Sequence, residues 1–280
     1  MKAPIAWLWI GAFLAFSAAF MVAPAAMLAV QAFSDDDGFT LQYFAELGHY
    51  RHATAFQHSL ILSVASATVG VVAGGLLAYV LQKPAAGRFR ALVTSFSAVA
   101  ANFGGVPLAF SFIATLGTLG LLTTLLKSIG VDLYGLGFSL FSITGLTLVY
   151  AYFQIPLMVI VFTPAIEGMR PAWREAAATM GASNWQYWRL VGLPVLAPSL
   201  LASWILLFGN AFSAYATAYA LTSGNIMLVT TEISAVLSGN VTSEPQVGAA
   251  LSLGMIVVMV LVLIASQMIG RRAARWTVKS

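Results

Sequence analysis

Long apolar runs separated by short polar stretches dominate the chain. A helix needs about 20 mostly apolar residues to cross the hydrocarbon core of a bilayer. Six runs reach that length, at 5–33, 59–81, 91–116, 138–162, 196–221 and 247–270, and none contains Asp, Glu, Lys or Arg. The pattern predicts an all-α membrane protein with six transmembrane helices. The first run follows Lys2, and Ala23-Pro24-Ala25 loosely resembles a cleavage site. The apolar core of a signal peptide spans only about 7–15 residues, so this longer run is expected to remain as a helix.

The segments between the runs predict an orientation, because cytoplasmic loops carry an excess of Lys and Arg. Lys2, Lys83, Arg88, Arg90, Arg170, Arg174, Arg189, Arg271, Arg272, Arg275 and Lys279 all fall on one side of a six-span arrangement. Arg51 and Lys127 fall on the other, with Asp35, Asp36, Asp37, Glu46, Asp132, Glu232 and Glu244. Both termini are therefore expected in the cytoplasm. The external acids are expected to be solvated, or to meet a partner outside the membrane in the case of Glu232 and Glu244.

Composition agrees with the bilayer. Of the 280 residues, 60% are hydrophobic and 8% charged, with a mean hydropathy of +0.90. Soluble domains carry about 25% charged residues, and a soluble fold could not hide this much apolar surface. No cysteine is present, which excludes disulfides, thiolate metal sites and cysteine nucleophiles. His49, His52 and His58 cluster between two runs, where a solvated loop is expected rather than a metal site. The net charge of +4 is no nucleic-acid footprint, because the basic residues flank apolar runs and form no stripe.

One polar connection stands apart. Segment 163–197 is the longest on the basic side, and its signals are those of a folded helix-turn-helix. Pro171 suits a first helical turn and Gly181 the position just past a helix end. Ser183 with Gln186 fits a capping box for a second short helix carrying Trp185, Trp188 and Arg189, which Pro194 and Pro198 would stop. Glu175, placed near the helix start, would gain from the helix dipole.

Within this loop Glu175-Ala176-Ala177 is followed after three residues by Gly181, and nine residues later by Val191-Gly192-Leu193-Pro194. The spacing EAA-x3-G-x9-[IV]-x-LP, ahead of the penultimate span, resembles the EAA loop of permease subunits from binding-protein-dependent ABC importers. The resemblance covers essentially the whole chain. It implies the type I ABC importer permease fold, a single transmembrane domain over 1–280, and a bacterial inner-membrane location. It also implies that Glu175, Ala176, Ala177, Gly181, Ala182, Ser183, Trp185, Leu193 and Pro194 couple the chain to an ATPase subunit. Expected partners are ABC ATPase subunits, a second permease subunit (identical or homologous), a periplasmic solute-binding protein and the lipid bilayer. No Walker A pattern occurs. The chain is expected to bind no cofactor and to be no enzyme, with ATP and Mg used by the partner.

A second segment, Asn102-Phe103-Gly104-Gly105-Val106-Pro107, resembles segments of permeases grouped with polyamine, iron(III), thiamine and aminophosphonate importers. Polyamine is the favoured solute on that resemblance. Its glycines and proline break helix regularity at membrane depth, which is tolerated where backbone lines a cavity. Polar residues at that depth usually face a bundle interior. Asn102, Gln154, Asn210, Ser213 and Tyr215 are thus candidates for the solute path, with Tyr150, Tyr152 and Tyr219 adding hydroxyls. Interhelical hydrogen bonding is the competing role. Gly70 and Gly74 form a G-x-x-x-G suited to close packing, expected within the subunit. An ATP-independent secondary transporter is the rival reading, but it needs ion-coupling residues that the spans lack.

Overall fold

The computed structural model describes residues 3–35, 38–83, 87–238 and 245–277. Its chain order begins with α1 (Ala3–Ser17), a π-helical turn at Ala18–Val22 and α2 (Ala23–Ala32). A two-stranded antiparallel hairpin follows, β1 (Ser34–Asp35) with β2 (Gly38–Phe39). It is the one departure from an all-helical chain among the described residues. Then come α3 (Gln42–Glu46), α4 (Tyr50–Val69), a second π turn at Gly70–Gly74, α5 (Gly75–Leu81), α6 (Gly87–Ala100), α7 (Gly105–Leu116), α8 (Leu121–Ser128) and α9 (Ile143–Glu167). The last part holds α10 (Pro171–Thr179), α11 (Asn184–Tyr187), a third π turn at Trp188–Gly192, α12 (Leu193–Ser213), α13 (Ala216–Thr222), α14 (Val229–Ser238) and α15 (Pro245–Thr277).

Six stretches are long and apolar enough to span a bilayer: Trp9–Ala32, Tyr50–Leu81, Gly105–Ser128, Ile143–Glu167, Asn184–Ser213 and Pro245–Met268. Their number matches the sequence pattern, but three differ from it in kind. The second begins at Tyr50, so His52 and His58 ride on α4 rather than in a loop, and His58 Nδ1 lies 3.2 Å from the Met227 carbonyl. Among the described residues no group of three or more His, Cys, Asp or Glu gathers as metal ligands would. The third, expected as one helix over 91–116, is divided. Helix α6 ends at Ala100 and α7 starts at Gly105, whose φ of +76° no β-carbon tolerates easily. The fifth is longer than expected, because Pro194 and Pro198 do not stop the helix that precedes them.

The π turns explain that continuation. A proline inside a helix lacks its N–H, and its ring clashes with the carbonyl four residues back. At Trp188–Gly192 the ladder widens, and Leu193 N–H reaches the Trp188 carbonyl five residues back, one position before Pro194. At Ala18–Val22 the same step occurs one position before Pro24, with Ala23 N–H on the Ala18 carbonyl. Each π turn moves the obstructed carbonyl aside and lets the helix run on.

The backbone groups into two compact units. One comprises the chain up to Phe56 with Val229–Val258; the other comprises Gln57–Leu228 with the chain from Met259. In the first, Ala32, Ala249 and Ala250 are buried against Leu28, Tyr43, Phe44, Leu47 and Leu253. Glu232, expected at a solvated or partner-facing position, is instead 3% exposed. Its Oε2 accepts a 2.7 Å bond from Arg51 Nε, and it sits in the first turn of α14, where the dipole favours an anion. Asp35 accepts from Gln42 Nε2 at 2.8 Å. Asp36, Asp37 and Glu244 lie outside the described residues.

In the second unit α9 is the hub. Val149, Tyr150 and Phe153 join Leu62, Leu108, Leu140, Leu146 and Ala211 in one buried cluster. Gly70 and Gly74 bring the second π turn against α9: a β-carbon on Gly74 would lie 2.6 Å from the Ile155 carbonyl oxygen and from Met158 Cβ. This G-x-x-x-G packs within the subunit, as the sequence suggests. Beyond α8, Asp132 accepts from Gly135 N–H and Lys127 Nζ; these bonds hold its carboxyl below the usual range.

Candidate functional site

The predicted helix-turn-helix is present as a tight elbow. Helix α10 opens with Pro171 in its first turn and closes at Gly181, whose φ is +78°. Gly181 N–H bonds the Ala178 carbonyl at 2.9 Å, and Ala182 N–H bonds the Ala177 carbonyl at 2.9 Å. These two bonds make a Schellman motif, which satisfies the end of α10. The next residue, Ser183, caps α11: its Oγ accepts from Gln186 N–H at 3.3 Å, while its own N–H donates to Gln186 Oε1 at 2.7 Å. Arg174 on α10 donates to Asn184 Oδ1 at 3.1 Å and ties the arms together. The elbow has no slack residue between the two caps.

Its surface is unusual for its polarity. Met180 at the tip is 80% exposed and Trp185 is 70% exposed, while Ala177 is buried inside the bend. Leu193 and Pro194, where the arm enters α12, are also exposed. Ala176 and Ala178 flank the buried Ala177 and add a bare surface next to the tip. Glu175 is the fifth residue of α10, beyond the first turn, so the dipole argument made from sequence does not apply to it. Its side chain is exposed and forms no salt bridge among the described residues. Arg90 of α6 pairs with Glu167 at the end of α9.

A second feature lies at the two helix breaks. Between α6 and α7, residues Ala101–Gly104 interrupt the helix; between α12 and α13, Ala214 turns extended, and Tyr215 caps the start of the next helix. Gly105 N–H, at the start of α7, donates to Thr217 Oγ1 at 2.7 Å, and Tyr150 Oη on α9 donates to the Ala214 carbonyl at 3.1 Å. Together they hold the breaks side by side. The cleft between them measures about 330 Å³ and is lined by Asn102, Phe153, Asn210, Tyr215, Thr217 and small residues of both breaks. No lining residue carries a charge.

The sequence candidates for a polar path therefore divide. Asn102, Asn210 and Tyr215 meet in the cleft. Ser213 is exposed beside it and turns its hydroxyl back to the Gly209 carbonyl at 2.8 Å. Gln154 is elsewhere: it is 0% exposed, and its Nε2 donates to the Leu207 carbonyl at 2.7 Å. It ties α9 to α12 and cannot line an open path here. Tyr150 is likewise a buried tie, while Tyr215 stacks on Tyr219 at 5.3 Å. Thr217 and Ala214 are the members that sequence reasoning missed. The first break is signalled by Gly104-Gly105, but the second has neither glycine nor proline to mark it.

The profile of the family described as binding-protein-dependent transport system inner membrane component matches residues 70–275. The chain belongs to that family. This permease is 26% identical over 270 residues to the spermidine/putrescine transport system permease protein PotC of Escherichia coli (strain K12), with 93% of each chain covered. It is also 26% identical over 227 residues to the sulfate transport system permease protein CysW of Synechocystis sp. (strain ATCC 27184 / PCC 6803 / Kazusa), covering 79% of the permease and 78% of that relative. Among solved structures it superposes, with a TM-score of 0.75 and 19% identity, on a chain of a bacterial alginate ABC transporter in complex with an alginate pentasaccharide-bound periplasmic protein, covering 96% and 94% of the two chains. The fold is thus that of ABC importer permeases, and the permease is a multi-pass inner-membrane protein.

Proposed function

We propose that this permease forms the solute passage of an ATP-driven importer and works by alternating access. The whole chain acts as one transmembrane domain, paired with a second permease subunit. A periplasmic binding protein delivers the solute, and two ATPase subunits, which use ATP and Mg, drive the cycle. The elbow carries this proposal. It is a doubly capped knob that presents Met180 and Trp185 with Glu175 nearby, which suits insertion into a groove of a soluble partner. Closure of the ATPase pair would then push the elbow and, through α12, reshape the cleft. The chain itself does no chemistry.

The solute we propose is a polyamine. The support is the relative that transports spermidine and putrescine, matched over 93% of its length, together with the make-up of the cleft. Amides, hydroxyls, aromatic rings and backbone carbonyls can accept from an ammonium group, and no fixed cation repels it. The absence of a carboxylate suits a weak passage supplied by a separate, tighter binding protein. Relatives with other solutes make the specificity the first thing to test.

The experiment is co-purification followed by transport. The permease, tagged and expressed with its neighbouring genes, is expected to bring down a Walker-A-containing ATPase, and Gly181→Asp to release it. Reconstituted in vesicles with its binding protein, the complex is expected to take up radiolabelled spermidine only when ATP is present. Uptake by the permease alone without ATP would replace the importer reading with a secondary transporter. ATP-driven uptake of thiamine, aminophosphonate or iron(III) in place of spermidine would keep the importer and overturn the polyamine.

A further inference from the structure

Between the elbow and α12 lies the third π turn, and Trp188 opens it. The indole packs against Gly192: a β-carbon there would come within 2.5 Å of Trp188 Cε3 and 2.9 Å of Cζ3. The same ring meets Tyr79 of α5 edge-on, with centroids 5.0 Å apart, and Tyr187 at 5.7 Å. Lys83 places its Nζ 5.4 Å from the centre of the Tyr79 ring. The cytoplasmic-side end of the second span is thereby joined to the stem of the elbow through aromatic contacts.

A stem built on a π turn before a proline is poorly suited to carry a push. Its ladder lacks the donor that Pro194 does not have, and such turns are sites where helices bend. Gly192 has no side chain to stiffen the turn. The indole fills that place, packed between the Gly192 backbone and Tyr79. We propose that Trp188, braced on Gly192 and Tyr79, is the positioning residue that makes elbow, α5 and α12 move as one body. A stroke on the elbow then reaches the Asn210 cleft instead of being absorbed in the π turn. The inference rests on the coupling role proposed for the elbow.

The chain has no cysteine, so Asn210→Cys supplies a single reporter thiol in the cleft. The complete complex with its ATPase is placed in lipid nanodiscs, and labelling of this chain by a charged maleimide is timed with and without ATP plus vanadate. Nucleotide trapping is expected to change the rate about fivefold or more, the low end of ordinary coupling between sites. Trp188→Ala should cut that response below about twofold while the ATPase remains bound. Trp188→Phe, which keeps a ring, should restore it. Tyr79→Ala leaves the elbow untouched and should give the same loss, with no further loss in the double variant. A full response in Trp188→Ala or Tyr79→Ala overturns the inference and leaves the coupling reading standing. If Trp188→Ala fails to assemble, Tyr79→Ala decides alone. If the parent complex holds its ATPase yet shows no nucleotide response, the coupling reading falls, and this inference with it.

Discussion

Gly70 and Gly74 occupy equivalent places in one motif, yet they face different obstacles. A β-carbon on Gly70 would meet the Leu207 Cδ2 methyl at 2.6 Å, the movable end of a side chain, and Gln154 Cβ at 3.0 Å. On Gly74 it would meet the Ile155 carbonyl oxygen and Met158 Cβ, both at 2.6 Å, and neither can rotate away. Replacing glycine by alanine in a helix gains about 0.5–1 kcal/mol. Overpacking costs about 1–3 kcal/mol where the backbone must shift. Gly74→Ala should therefore lower the thermal midpoint of the detergent-solubilised permease, and Gly70→Ala should shift it less. Equal shifts would mean that α9 and the second π turn are not held as closely as they pack here.

At the scale of elements, two breaks and one half-buried bond define the cleft. Gly105 N–H has Thr217 Oγ1 as its acceptor, and Thr217 is buried. Leaving a fully buried donor unsatisfied costs about 1–3 kcal/mol, and a half-buried donor such as this one costs less. Thr217→Val should lower the thermal midpoint, and Thr217→Ser, which keeps the hydroxyl, should not. Asn210 is exposed to the cleft, so Asn210→Leu should impair spermidine uptake with the midpoint and the ATPase association unchanged. Normal uptake in Asn210→Leu would move the passage away from these breaks. The same elements show what the sequence reveals and what it hides. The elbow was legible because its signals are local: Pro171, Gly181 and the Ser183–Gln186 pair each dictate backbone geometry within four residues. The run-on of α11 into α12 was not legible, because a π turn ahead of Pro194 has no residue signature of its own. Gln154 looked like a path residue from its depth alone. Only the close approach of α12 turns its amide toward the Leu207 carbonyl, and that approach depends on residues more than fifty positions away.

For the whole molecule, charge decides which way the chain faces. The eleven basic residues on the elbow's side outnumber the two opposite, and short loops rich in Lys and Arg stay in the cytoplasm. We therefore expect both termini and the elbow in the cytoplasm, and the loop between α8 and α9 outside. The cysteine-free sequence allows a direct check with two single-thiol variants. Ile129 is 70% exposed just past α8, and Met180 stands at the tip of the elbow. In intact cells with a permeable outer membrane, a membrane-impermeant maleimide should label Ile129→Cys and leave Met180→Cys unmodified. Inverted inner-membrane vesicles should give the opposite pattern. Labelling of Met180→Cys from outside would put the elbow in the periplasm, beyond the reach of any ATPase, and no amount of likeness in fold would then rescue its coupling role. Labelling of neither position from outside would mean that the span over Gly105–Ser128 does not cross, and the broken third segment would have to be counted afresh.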